Sequence, residues 1–229
     1  MPNEEIERSQ TADRSTAGTA VEGAPQAKSI APVVRKRPKP GERRVQILQT
    51  LAAMLERPGA ERVTTAALAA QLAVSEAALY RHFASKAQMF EGLIDFIEQS
   101  VFTLVNQILE REASSARERA SRIVTMVIQF AEKNPGMTRV MVGDALVYEN
   151  ERLQNRMNQF FDRIESTLRQ ALRGAVVADI QSSSTPTVDA QVRAAVLTAF
   201  VVGRLQRFAR SGFRHLPSEH LEPSLAMMF

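Results

Sequence analysis

Cysteine is absent from the 229 residues, which excludes a disulfide framework, a thiolate metal site and a cysteine nucleophile, and is expected of a protein kept in a reducing compartment such as the cytoplasm. Tryptophan is absent too, and tyrosine occurs only at Tyr80 and Tyr148. Few aromatic side chains with a polar end are therefore available to line a small-molecule cavity, although Phe and Met remain. No uninterrupted apolar stretch reaches the roughly 18 residues that a membrane span needs. The opening segment MPNEEIERSQ is acidic and polar where a secretion signal is basic and apolar, so a soluble, intracellular chain is expected. A phosphate-cradling glycine loop, His-Glu-x-x-His and Gly-x-Ser-x-Gly are all missing, and neither enzyme nor cofactor is expected. His215 and His220, with Glu219 and Glu222 nearby, do not supply four ligands at a recognised spacing. Solvated polar side chains are the expectation there, with no metal.

What the chain does have is enough apolar content, 45%, to bury one substantial core with a small satellite domain. The net charge of +4 is mildly basic, and its distribution says more than its size. Arg35, Lys36, Arg37, Lys39, Arg43 and Arg44 crowd together with only Glu42 among them. Such a run is a solvated flank or a phosphate-binding arm. Before it, residues 1–40 mix small, polar and charged residues without apolar period, and Pro25, Pro32, Pro38 and Pro40 deny them a long helix. A disordered tail is predicted.

From Glu42 to about Glu56 the spacing predicts a helix with Val45, Leu48, Leu51, Ala52 and Leu55 on its buried stripe and Pro58-Gly59 as its stop. Three helix starts then follow in quick succession. Thr64 is an N-cap with Val63 and Leu68 as hydrophobic staple; Ser75 repeats the device with Val74 and Leu79; Ser85 has Gln88 at the capping-box spacing. The first two open short helices joined by Ala73-Val74-Ser75, a helix-turn-helix. An alanine at Ala73, where glycine commonly closes the turn, costs roughly 1 kcal/mol if held at positive φ.

At about 100° per residue, Leu79 and Phe83 of the second helix share the inward face while Ala77 and Arg81 point away, flanked by Ala78 and Tyr80. Two alanines let a helix sit deep in a major groove, Arg81 can reach a guanine edge or phosphate, and Tyr80 can reach a phosphate. His82 lies on the flank. The amides at the Thr64 and Ser85 starts, with Lys86 beside the latter, suit phosphate oxygens. Thr64, Thr65, Ser75, Ala77, Ala78, Tyr80, Arg81, His82 and Lys86 thus form the candidate DNA surface. The alternative is a small helical subdomain whose polar residues are merely solvated. Beside a helix-turn-helix, the basic run reads as an arm.

Downstream, the Ser85 helix continues to about Glu110 with Met89, Phe90, Leu93, Ile94, Ile97, Val101, Val105 and Ile108 inward. A second long helix covers about Ala116 to Lys133, Asn134-Pro135-Gly136 breaks it, and a short helix follows over about Met137 to Val147. Leu153, Met157, Phe160, Ile164, Leu168 and Ala171 form a seam over about Glu149 to Arg173, then a mobile loop from Gly174 to Val188 precedes a last long helix from Asp189 to Arg210. There Ala195, Ala199 and Gly203 fall four apart, a small-residue stripe that suits either a four-helix contact between two subunits or close packing within one chain.

The run VTTAALAAQLAVSEAALYRHFASKAQMF, Val63 to Phe90, resembles the N-terminal head of the TetR-type regulators. Asn134 to Arg139 and the run ERLQNRMNQFFDRIE from Glu151 resemble the body of a branch of that family, the SlmA-type nucleoid occlusion factors. The resemblance spans roughly residues 42 to 216 and fails over the first forty. It implies an all-α homodimer with a DNA-binding head over 41–87 and a dimerisation and partner-binding body over 88–229, preceded by the tail that composition predicts over 1–40. It further implies a cytoplasmic, nucleoid-associated protein that antagonises the tubulin-like division GTPase FtsZ from double-stranded DNA.

Carried over by position, the FtsZ surface falls on Phe96, Met126, Gln129, Lys133 and Asn134, and Phe96 lies off the Leu93-Ile97 stripe. The dimer interface falls on Leu153, Met157, Phe160 and Ile164 with Ala195, Ala199 and Gly203. Leu104 and Gln129 depart from a member of that branch, which has arginine and glycine there. The other reading of the same fold is a repressor whose body takes a small effector; the scarcity of Tyr and Trp weighs against an effector.

Overall fold

A computed structural model describes residues 41–57, 62–110, 115–176 and 186–229. The predicted tail, most of the basic run and the Pro58-Gly59 stop lie outside them. Among the described residues the regular structure is helical throughout: α1 (Glu42–Leu55), α2 (Thr65–Gln71), α3 (Glu76–Tyr80), α4 (Lys86–Leu109), α5 (Ala116–Lys133), α6 (Pro135–Met141), α7 (Glu151–Val176), α8 (Pro186–Arg210) and α9 (Leu221–Met228). A 3-10 turn at Asp144–Leu146 precedes α7.

The first three helices and the start of α4 make a head, and α4 carries its apolar stripe from there into a body where α7 packs on both α5 and α8. Buried apolar residues run without interruption from Ile47 through Leu93 and Val101 to Leu225. Head and body therefore share one core, where the composition suggested a core with a satellite. Gly136 shows how tight the joint between them is: a Cβ there would lie 1.9 Å from the Ala52 carbonyl oxygen of α1. Only hydrogen fits between α6 and α1 at that point.

Several expectations need correction. In α1 the inward face holds Ile47 in place of Val45, which is 53% exposed, and Leu48 is only partly buried. The stripe is rotated because α1 packs on both α4 and α6. In α4 Phe102 is buried and Ile108 only partly so. The break after α5 consumes one residue, Asn134, because Pro135 begins α6 at once: its fixed φ suits the first helical position, where no amide is needed. That helix ends at Met141, well before Val147, since Gly143 turns the chain at φ 84°.

α8 likewise begins earlier than expected, at Pro186, and α7 runs on to Val176; the rest of the anticipated loop, 177–185, lies outside the described residues. A further helix, α9, has no counterpart in the periodicity described above. Leu221 and Leu225, one turn apart, are its buried face, and the Arg204 guanidinium pins its start by donating to the Pro217 and Glu219 carbonyls and to Ser224 Oγ. A reciprocal capping box at Ser115 and Glu118, also unanticipated, opens α5.

Candidate nucleic-acid interface

All three predicted caps hold. Thr64 Oγ1 accepts from the Ala67 amide at 3.1 Å, Ser75 Oγ from Ala78 at 3.3 Å and Ser85 Oγ from Gln88 at 3.2 Å. Val63 and Leu79 are buried with Leu68, as stapling requires, while Val74 is only partly buried. The Ser85 box is not reciprocal, however: Gln88 Oε1 reaches one residue further back, to the Ala84 amide at 2.9 Å. Ala73 does sit at positive φ, 53°.

The recognition helix α3 is short, ending at Tyr80, so Arg81 and His82 lie in the turn that follows. That turn keeps the helical sense, with the Phe83 amide still bonded to the Leu79 carbonyl at 3.1 Å. The face therefore survives: Leu79 and Phe83 are fully buried, while Ala77, Tyr80 (45% exposed) and Arg81 look outward, with Ala78 and His82 half-covered at its edges.

Three contacts were not legible in the sequence. Thr65 donates to Glu76 Oε2 at 2.6 Å and ties the start of α2 to the start of α3. Arg44 is engaged at the recognition turn: its Nη1 donates to the His82 carbonyl at 2.8 Å and its guanidinium lies 4.1 Å over the Phe83 ring. It thus braces the end of α3, a geometry suited to a planar fork, and is not a loose arm residue. The third involves Lys86, whose Nζ lies 2.5 Å from Glu149 Oε1, a carboxylate of the body.

That pair heads a ladder between α4 and the approach to α7. Arg152 pairs with Glu91 at 2.6 Å, and Arg156 bonds Asp95 at 2.5 Å and Glu98 at 2.7 Å. The hydrogen bonds that Arg156 donates to Glu98 raise its pKa further above its ordinary value, with Asp95 adding and burial opposing. Arg156 stays charged at every working pH.

The residues carried over as a partner surface divide into two places. Phe96 is 48% exposed on α4, and Lys133 is exposed at the end of α5 beside Asn134, whose side-chain amide caps the Phe130 carbonyl at 2.7 Å. Met126 and Gln129 instead line a groove of about 570 Å³ between α4, α5 and α9, with Leu104, Ile108, Arg117 and Leu225 among its walls.

The dimer residues divide more sharply. Leu153, Met157, Phe160 and Ile164 are at most 2% exposed and belong to the chain's own core, so they cannot meet a second subunit. Phe160 in particular is boxed by the Phe102 and Phe161 rings, with centroids 5.6 and 5.1 Å away. Ala195, Ala199 and Gly203 are exposed on α8, next to exposed Val192 and Val196. No cluster of metal-binding side chains occurs among the described residues, and His220 meets Glu219 only at 3.8 Å. No helix among them is long and apolar enough to cross a membrane.

A braced helix-turn-helix with two alanines, a tyrosine and an arginine on its open face, fused through one long helix to a helical body, defines a DNA-binding regulator. Comparison with known proteins agrees. Residues 47–93 match the family of bacterial regulatory proteins, tetR family, and residues 115–229 match the SlmA-like family described as tetracyclin repressor-like, C-terminal domain. The nucleoid occlusion factor SlmA of Vibrio vulnificus is 50% identical over 191 residues, 83% of this chain and 95% of that protein. Its counterpart in Idiomarina loihiensis is 48% identical over 186 residues, covering 81% and 93%.

Among solved structures, the TetR-family regulator PfmR from Thermus thermophilus superposes with a TM-score of 0.62 at 20% identity, covering 80% of this chain and 96% of that one, a likeness of fold alone. The chain belongs to the TetR family and, within it, to the SlmA nucleoid occlusion factors.

Proposed function

We propose that this nucleoid occlusion factor binds chromosomal duplex sites as a two-fold dimer and, while bound, antagonises FtsZ polymers so that no septum forms over the nucleoid. The DNA side rests on the α3 face and the amides at the starts of α2 and α4. Two such heads about 34 Å apart would read an inverted repeat in successive major grooves. The dimer side rests on the open α8 stripe.

The single observation that carries the partner side is Phe96, a large apolar side chain left 48% exposed on the same helix that begins at the DNA face. A helix that touches both ligands can couple them, and such coupling is reciprocal. Lys133 supplies a cation on the neighbouring helix, and the groove containing Met126 and Gln129 sets two arginines, Arg117 and Arg122, against one carboxylate, Glu222, among apolar residues, a net positive lining that suits an extended peptide with acidic residues. The same groove is large enough for an effector, which is the repressor reading; the exposed Phe96 favours the partner reading.

The test is FtsZ polymer assembly followed by light scattering with this protein and its selected operator, against protein alone and protein with unrelated DNA. Operator should strengthen the inhibition, and Phe96→Ala with Lys133→Glu should abolish it at unchanged operator affinity. Inhibition that ignores DNA, or survives the double substitution, would return the repressor reading.

A further inference from the structure

Lys86 stands at the first position of α4, the helix start that the reading above aims at a DNA phosphate. Its ammonium is nevertheless occupied. The Glu149 carboxylate lies 2.5 Å from Nζ, with the lysine side chain 27% and the glutamate side chain 11% exposed. Glu149 comes from the body, in the bend that leads into α7, where its own amide is bonded to the Leu146 carbonyl at 3.0 Å. The lower rungs of the ladder, Glu91–Arg152 and Asp95–Arg156–Glu98, join α4 to α7 itself, further along α4 and away from the helix start. Lys86 differs from those arginines in its place beside the α4 amides, where a phosphate oxygen is the natural second partner.

We infer that Glu149 acts as an intrachain stand-in for a DNA phosphate, holding Lys86 in reserve and so setting the DNA affinity of the chain. The inference rests on the proposal that the α4 start faces DNA. A carboxylate and a phosphate oxygen offer an ammonium the same contact, and a lysine stem can swing between two acceptors because its charge has no fixed plane. The lysine is the more exposed partner, 27% against 11%, so a phosphate approaching from solvent can reach its ammonium while Glu149 stays largely covered. The exchange leaves Glu149 without its cation at the entrance to α7, so the body senses that the head has met DNA, and by reciprocity anything that disturbs the Glu149 bend alters DNA affinity.

The test is a double-mutant cycle on the full chain, read by fluorescence anisotropy with a random-sequence duplex and with the duplex selected by the protein, each across a salt series. Glu149→Gln should bind both duplexes about fivefold more tightly at low salt, with a salt slope steeper by about one unit per subunit, because one more phosphate is engaged. Glu149→Asp, which keeps the charge but shortens the reach, should gain in the same direction. In the Lys86→Ala background, Glu149→Gln should gain nothing.

A gain that persists without Lys86 would be general charge repulsion and would overturn the inference, as would unchanged affinity in both Glu149 variants. Wild-type protein that binds neither duplex would instead sink the DNA reading beneath it. Misfolding is a poor explanation for a gain, so the expected result cannot be produced by damage.

Discussion

α7 and α8 are long neighbours packed on one another, yet they face outward in opposite ways. α7 spends its whole apolar seam inside the protomer and shows solvent Asn155, Asn158, Asp162 and Ser166. α8 buries Ala194, Leu197, Val201 and Leu205 and still carries Val192, Ala195, Val196, Ala199 and Gly203 on the outside. The difference teaches that a strong heptad-like stripe marks a face that will be buried without saying by what. The weaker stripe, made of small and branched residues, is the one left open on the protomer surface.

The largest effect expected from that contrast is on the α7 side. Phe160→Ala should cost about 3–5 kcal/mol in a denaturant titration, because it empties a fully buried site between two aromatic rings. A cost near zero would move Phe160 out of the core and return it to the interface. Second comes a contrast between two glycines. Gly136→Ala must push α6 off α1 and should destabilise by roughly 3 kcal/mol, the upper end for overpacking. Normal stability there would mean that the head–body joint is looser than a 1.9 Å approach implies.

Gly203 is the other glycine, and nothing lies within 4 Å of a Cβ built on it. Gly203→Leu should leave the protomer folded, slightly favoured by better helix propensity, while raising the dimer dissociation constant at least about tenfold, or about 1.4 kcal/mol. Analytical ultracentrifugation decides it, and an unperturbed dimer would remove the α8 stripe from the interface. The smallest effect lies in the head. Ala73→Gly should raise stability by about 1 kcal/mol by relieving an alanine at φ 53°, and a loss on thermal melting would show that its methyl packs usefully.

The sequence by itself determined the helices of the head and their three caps. Thr64, Ser75 and Ser85 announce helix starts through hydrogen bonds that span three residues, and such contacts are encoded locally. The outward face of α3 follows from the same local rule, since 100° per residue places Leu79 and Phe83 opposite Ala77 whatever surrounds them. Glycine and proline were poorer guides to helix ends, since α7 runs past Gly174 to Val176. They misled at Asn134-Pro135-Gly136, where one residue serves as the end of one helix and the start of the next.

Only the tertiary structure decided which partner each side chain takes. Arg44 and His82 are 38 residues apart, Lys86 and Glu149 are 63 apart, and no periodicity relates them. Whether Leu153 or Ala199 meets a second subunit likewise depends on which neighbouring helix arrives first. Stripes are one-dimensional patterns with no address, whereas burial is a property of three-dimensional closure, and here closure gave α7 to the core and left α8 open.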